Sequence, residues 1–168
     1  MTGSLLVTGG LISWIGEEGE EAPVAEVDLL PAEGLYVCPG FIDLHCHLRE
    51  PGFEYKETIA TGTAAAARGW FTTVCCMPNT QPPLDTPGRI ADLAARAAAD
   101  ALVRVLPVAA ISRGRNGREL VDMAALAQAG VVGFSDDGDP VADAELMRRA
   151  LLASRDLHLP VISHCEDR

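Results

Sequence analysis

Two habits of hydrophobic patterning divide the chain near residue 38. Before that point, SLLVT and LISWI flank Gly9-Gly10, the two-residue signal of a tight antiparallel hairpin. GEEGEE follows as a solvated turn, and VAEVDLL alternates apolar with polar as a third strand would. The pattern predicts a small, unfinished antiparallel sheet that ends near Gly34.

From Phe41 a longer rhythm takes over. Apolar, β-rich segments begin at Phe41 (FIDLH), Phe71 (FTTVCCM), Leu102 (LVRVLPVAA), Val131 (VVGF) and Pro160 (PVISH), at intervals of 30, 31, 29 and 29 residues. Between them lie KETIATGTAAAA, PGRIADLAARAAA, GRELVDMAALAQA and ADAELMRRALLAS, Ala-rich and helical in their spacing. Strand then helix at a steady interval is the βαβ unit, whose right-handed crossovers build a parallel sheet, so the fold class is α/β. Two architectures fit: a doubly wound five-stranded sheet, or the first five strands of a (β/α)8 TIM-type barrel. A doubly wound sheet is covered on both faces, yet the residues after His164 read CEDR, with no helix to cover a fifth strand. The expectation is an incomplete barrel over residues 39–168, preceded by the small sheet of residues 1–38.

Composition narrows the function. Apolar residues make up 48% of 168 positions, which is globular rather than disordered. Acidic side chains outnumber basic ones 24 to 13, and the net charge of -11 repels phosphate backbones and anionic membranes, so neither nucleic acid nor membrane is an expected partner. No apolar run approaches the ~20 residues of a membrane span, and MTGSLLVTGG lacks the features of an export signal. Five cysteines with no CxxC pair make neither a disulfide framework nor a zinc knuckle; a reducing cytoplasm fits them.

In parallel α/β folds, chemistry gathers at the carboxyl ends of the strands. Here those ends carry His45 and His47, Asn79, the pair Asp136-Asp137, and His164. The fourth histidine, His158, precedes the last strand and reads as a surface residue. Residues i and i+2 of a strand share a face, so His45 and His47 can converge on one ion while Cys46 points away. An HxH alone would more often be a pair of satisfied core histidines; a third histidine and a carboxylate at neighbouring strand ends reverse that balance. Imidazoles with a carboxylate suit a hydrolytic zinc site with an open position, where bound water ionises at roughly pH 7. Of Asp136 and Asp137, one is expected to bridge metals and the other to serve the turn and N-cap ahead of ADAELMRRALL. Arg49 either forks onto an anionic substrate or pairs with Glu50 or Glu54. Asn79 either binds substrate or holds the MPNT turn. Cys75 and Cys76 read as small buried hydrophobes.

The stretches PGFIDLHCHLREPGFEYKETIATGTAAAARG, FTTVCCMPNT, GFSDDGDPV and ISHCED closely resemble the class I dihydroorotases of the amidohydrolase superfamily. The match covers nearly the whole chain, and its DxHxHLREPG, EYKETI and MPNT motifs are highly specific. The resemblance implies a barrel with a small β-sandwich built from both termini, of which residues 1–38 would be half. It implies that His45 and His47 bind a first zinc, that His164 binds a second, and that Asp137 bridges them, standing 27 residues before His164 as in relatives. It makes His47, Arg49 and Asn79 the substrate contacts, with Arg49 and Asn79 on a carboxylate. The implied reaction is reversible cyclisation of N-carbamoyl-L-aspartate to L-dihydroorotate and water, in de novo pyrimidine biosynthesis. In ring opening, metal-activated hydroxide attacks the ring carbonyl and an aspartate from a late strand shuttles the proton. That aspartate and a further metal-binding histidine belong to strands beyond this sequence. The chain alone is therefore expected to be inactive, with open sheet edges that aggregate or wait for the missing half.

Three other readings compete. Dihydropyrimidinases and allantoinases bridge their metals with a carboxylated lysine at the fourth strand, but the one lysine here, Lys56, follows the first strand. Non-catalytic scaffold homologues have lost their metal histidines, whereas His45, His47, Asp137 and His164 are all present. A plain metal-binding module would leave Arg49 without a purpose. The resemblance also allows a homo-oligomer, and an association with aspartate transcarbamoylase that no residue of the chain specifies.

Overall fold

Gly9 and Gly10 both take positive φ, 59° and 82°, the combination that a two-residue type I′ hairpin turn demands and that L-side chains resist. They join β1 (Gly3–Thr8) to β2 (Leu11–Glu17) in antiparallel register. The computed structural model describes residues 2–24 and 26–166, and the chain divides into two compact units, Met1–Cys38 and Pro39–Arg168. The third strand expected from VAEVDLL does not form among the described residues: 26–30 are unpaired, with Leu29 and Leu30 exposed, and Ala25 lies outside them. Alternation selects a face, but a strand also needs a ladder partner for its amides, and this sheet has two strands.

The second unit is a parallel sheet of β3 (Phe41–Cys46), β4 (Phe71–Cys76), β5 (Arg104–Ala109) and β6 (Gly133–Phe134), side by side in chain order. A doubly wound sheet reverses its strand order at a switch point; unbroken chain order is the winding of a barrel wall. The fifth expected strand is reduced to one parallel bridge, Phe134 with Val161. Around it the Phe134 amide donates to the Pro160 carbonyl (2.9 Å) and the Ile162 amide to the Phe134 carbonyl (2.8 Å). Pro160 has no N–H to extend that ladder.

Among the described residues four helices follow their strands: α1 (Ile59–Arg68), α2 (Pro87–Asp100), α3 (Met123–Gln128) and α4 (Ala144–Leu157). Each starts at an oxygen-bearing cap, Thr58, Thr86, Asp122 and Asp143 in turn, which satisfies amides that the first turn leaves free. α3 is shorter than the stretch from Gly117 predicts. An antiparallel bridge between Ser112 and Leu120 holds that part as loop until Asp122 caps the helix. Side-chain alternation gives the sheet two faces. Cys76, Ala109 and Phe134 join Ile59, Ile90, Leu93, Leu126 and Ala150 of the helices in the main core, while Cys75, Met77 and Val108 form a smaller cluster with Leu106, Val132 and Ile162. Among the described residues, no helix is long and apolar enough to cross a membrane.

Candidate metal centre

β3 delivers its two histidines by strand geometry. Cys46 pairs in register with Cys76 and packs towards the helix-side core, so the residues on either side of it face the other way. His45 and His47 then meet edge to face, ring centres 5.2 Å apart. Both point at Asp137, just beyond β6, whose side chain is only 7% exposed. His45 Nε2 lies 3.3 Å from Asp137 Oδ1 and His47 Nε2 lies 3.5 Å from Oδ2. His164, four residues after Pro160, places Nδ1 3.3 Å from the same Oδ1 and Nε2 3.1 Å from Glu166. The three histidines expected to bind metal thus surround the carboxylate of the fourth expected ligand, Asp137.

The donor set fits a divalent cation. Ligand atoms of His45, His47 and Asp137 all lie within 4.8 Å of one another. A tetrahedral site with bonds of 2.0–2.1 Å spaces its ligand atoms by about 3.3 Å, close to the nitrogen–oxygen separations seen here. The neighbouring thiols are poor candidates for ligands. Burial above all, then the nearby Asp43 carboxylate, pushes Cys46 up to about 12, and burial does the same to Cys76.

Asp136 and Asp137 part company in the way neighbours in an extended segment do. Asp136 is buried and accepts hydrogen bonds from the Ile111 amide (2.8 Å), the Ser112 amide (3.0 Å) and the Ser112 hydroxyl. It pins the loop after β5 to the end of β6. The N-cap role expected for one of the pair falls instead to Asp143, which accepts from the Glu145 and Leu146 amides, because a cap must directly precede the first helical residue. One participant was missed by the sequence reading. Arg115, in the turn after β5, donates from Nη2 to the Asp137 carbonyl (2.6 Å), the Asp136 carbonyl (3.3 Å) and the Asp139 carboxylate (3.0 Å). Its only signal in the sequence is an arginine-rich loop, RGRNGR, at a strand end where other reactive residues gather.

Asn79 is drawn into the cluster. Its Oδ1 lies 3.0 Å from His47 Nδ1, and its Nδ2 donates to Asp137 Oδ2 at 3.4 Å. With Oδ1 as acceptor, His47 carries its proton on Nδ1 and offers Nε2 to a cation. Arg49 stands apart: among the described residues its side chain makes no hydrogen bond or ion pair. The two carboxylates expected to compete for it are engaged elsewhere. Glu50 accepts from Arg96 (2.8 Å) and the Ile59 amide (3.0 Å), and Glu54 accepts from the Gly52 amide (3.0 Å). The loops after β3 and β4 are stitched together at Gly52, where the Gln81 amide donates to the Pro51 carbonyl (2.8 Å). With φ at 97°, and an added Cβ falling 2.2 Å from the Gln81 carbonyl oxygen, the position admits only glycine.

Known proteins resemble this chain in sequence and fold. Residues 34–168 match the family model described as dihydro-orotase-like. A dihydroorotase of Caldicellulosiruptor saccharolyticus is 48% identical over 163 residues, covering 97% of this chain and 38% of the relative. A dihydroorotase of Geotalea daltonii is 50% identical over the same length, with the same coverage. The chain thus spans about 38% of the length of these curated relatives. Among solved structures, a D-hydantoinase superposes with a TM-score of 0.73 at 28% identity, over 98% of this chain and 36% of that one. The L-hydantoinase of Arthrobacter aurescens reaches 0.85 at 21% identity, over 99% and 37%, and shares the fold.

Proposed function

This chain belongs to the dihydro-orotase-like family, and on that premise we propose that its protein is a zinc-dependent dihydroorotase acting in the cytoplasm. The observation that carries the reading is the set of three imidazoles placed 3.3–3.5 Å from one buried carboxylate. A buried carboxylate is costly unless positive charge or hydrogen bonds offset it, and a cation held by the three imidazoles would do so. His45, His47, Asp137 and His164 would hold one or two zinc ions. Bound there, zinc supplies Lewis acidity, which polarises a carbonyl and brings the ionisation of water towards neutral pH.

The chain's own residues select the substrate. Arg49, its guanidinium uncommitted, would fork onto a substrate carboxylate, which both N-carbamoyl-L-aspartate and L-dihydroorotate carry. His47 and Asn79 would face the substrate beside it. In the hydrolytic direction water adds to the ring carbonyl, the amide C–N bond breaks, and the freed nitrogen takes a proton to give N-carbamoyl-L-aspartate. Because the chain spans about 38% of its relatives, the reaction is proposed for a protein of their length, with residues 1–38 as half of a small β-sandwich. The 168 residues assayed alone should bind metal without turnover.

The likeness to a D-hydantoinase favours a second reading, hydrolysis of an uncharged cyclic amide. Dihydroorotate has a carboxylate and hydantoin has none, so the two readings separate on Arg49. The test is the zinc content and substrate range of the protein at the relatives' length. Zinc with turnover of dihydroorotate, cut 100-fold or more in kcat/KM by Arg49→Met, supports the proposal. Turnover of hydantoin alone, indifferent to Arg49, overturns it.

A further inference from the structure

The loop Ser135–Asp139 must hold the Asp137 carboxylate where three histidines meet, and little regular structure does so, since β6 is two residues long. Inside the loop the Asp137 amide donates to Ser135 Oγ (3.0 Å) and the Asp139 amide to the Asp136 carbonyl (2.9 Å). From outside it, the Ile111 and Ser112 amides hold the Asp136 carboxylate, the Ser135 amide donates to the Ala109 carbonyl and Asn79 donates to the Asp137 carboxylate. The grip on the Asp136 and Asp137 backbone carbonyls comes from Arg115. Its side chain is 16% exposed, and its Nη2 reaches two successive carbonyls and a carboxylate of that loop. Its Nε is buried with no hydrogen-bond partner, a loss that an ordinary surface arginine avoids by turning to water. The backbone is arranged to suit: Arg115 itself sits at φ 56°, and Gly138 sits at φ 89°, where an added Cβ would come 3.1 Å from Nη2.

We propose that Arg115 is the positioning residue for the Asp137 carboxylate: it grips the carbonyls of Asp136 and Asp137 and the carboxylate of Asp139, and so presents Asp137 to His45, His47 and His164 together. Arg115 touches neither metal nor substrate in this scheme. The proposal rests on the metal-site reading above and extends it to the residue that assembles the site. A carboxylate shared by several ligands has to be held to within about 0.5 Å, and groups that orient a metal ligand are typically worth 10–100-fold in metal affinity.

Cobalt(II) titration of this chain, followed by visible absorption with a melting curve for each variant, tests it. Arg115→Gln should raise the Co2+ dissociation constant at least ~10-fold and alter the d–d band, and Arg115→Lys should recover part of the loss. In an Asp137→Asn background Arg115→Gln should add nothing, because the two act through one carboxylate. Should Arg115→Gln fail to fold, Asp139→Asn loosens the same grip at a side chain 43% exposed, and a smaller rise in the dissociation constant is expected. Unchanged affinity and spectrum in Arg115→Gln, or an equal loss in both backgrounds, overturns the positioning role and leaves the metal site standing. Failure of the unmutated chain to bind Co2+, or full binding by Asp137→Asn, overturns both.

Discussion

Asn79 shows how a residue with two expected uses is claimed by a third. Its amide spans His47 and Asp137, so it fixes a ring tautomer before any substrate arrives. Asn79→Ala should therefore weaken zinc binding about 10-fold or more, measured by chelator competition. A variant that keeps its zinc but shows a raised KM at the relatives' length would return Asn79 to substrate binding alone. The thiols yield a second prediction at this scale. Cys38 and Cys165 are exposed, Cys75 and Cys76 are buried, and Cys46 is half-buried. Burial raises Cys46 and Cys76 to about 12 and moves Cys75 in the same direction. At pH 8 iodoacetamide should therefore modify two of the five cysteines quickly, and all five only in denaturant, as read by intact mass. A folded thiol held above its ordinary value of 9.0 contributes stability below that pH and loses it as the pH climbs towards about 12. Denaturation midpoints should accordingly fall across that window. Rapid modification of Cys76 in the folded chain would contradict the packing of β4.

Between elements, the decisive joint is Asp136. It ties the end of β6 to the loop after β5 through two buried backbone amides, each costing about 1–3 kcal/mol if left without a partner. Asp136→Ala should lower unfolding free energy by about 3 kcal/mol or more in urea titration. Asp143→Ala, which removes a helix cap, should cost only about 1 kcal/mol. If the two costs were equal, the joint would be no more than another cap. The strands β3, β4 and β5 were legible because each needs a run of β-rich residues at the interval of a βα unit, and their reactive residues had to lie at the carboxyl ends. Local pattern failed where a distant partner decides the outcome. VAEVDLL alternates but finds no ladder, PVISH pairs through one bridge, and residues from Gly117 lose their helix to the Ser112–Leu120 bridge. Arg115, and the partners of Asp136 though not the residue itself, were opaque for the same reason, since each acts across the gap between β5 and β6 and carries no periodicity of its own.

At the scale of the whole chain the question is which of the two units holds the site. Among its described residues Met1–Cys38 contains one hairpin, and a two-stranded sheet is marginal by itself in water. Pro39–Arg168 contains both apolar clusters and all four metal-binding candidates. Among the described residues, positions 18–40 include no helix or strand, and Tyr36 within them is fully exposed. Backbone in that state is where a protease cuts first. Brief chymotrypsin treatment should cleave after Tyr36 and leave a product that begins at Val37. Because His45, His47, Asn79, Asp137 and His164 all belong to Pro39–Arg168, that product should titrate with Co2+ as the uncut chain does, with the same absorption band. Loss of the band on cleavage would mean that the hairpin unit supports the loops that carry the histidines, and the site would then have to be assigned to both units.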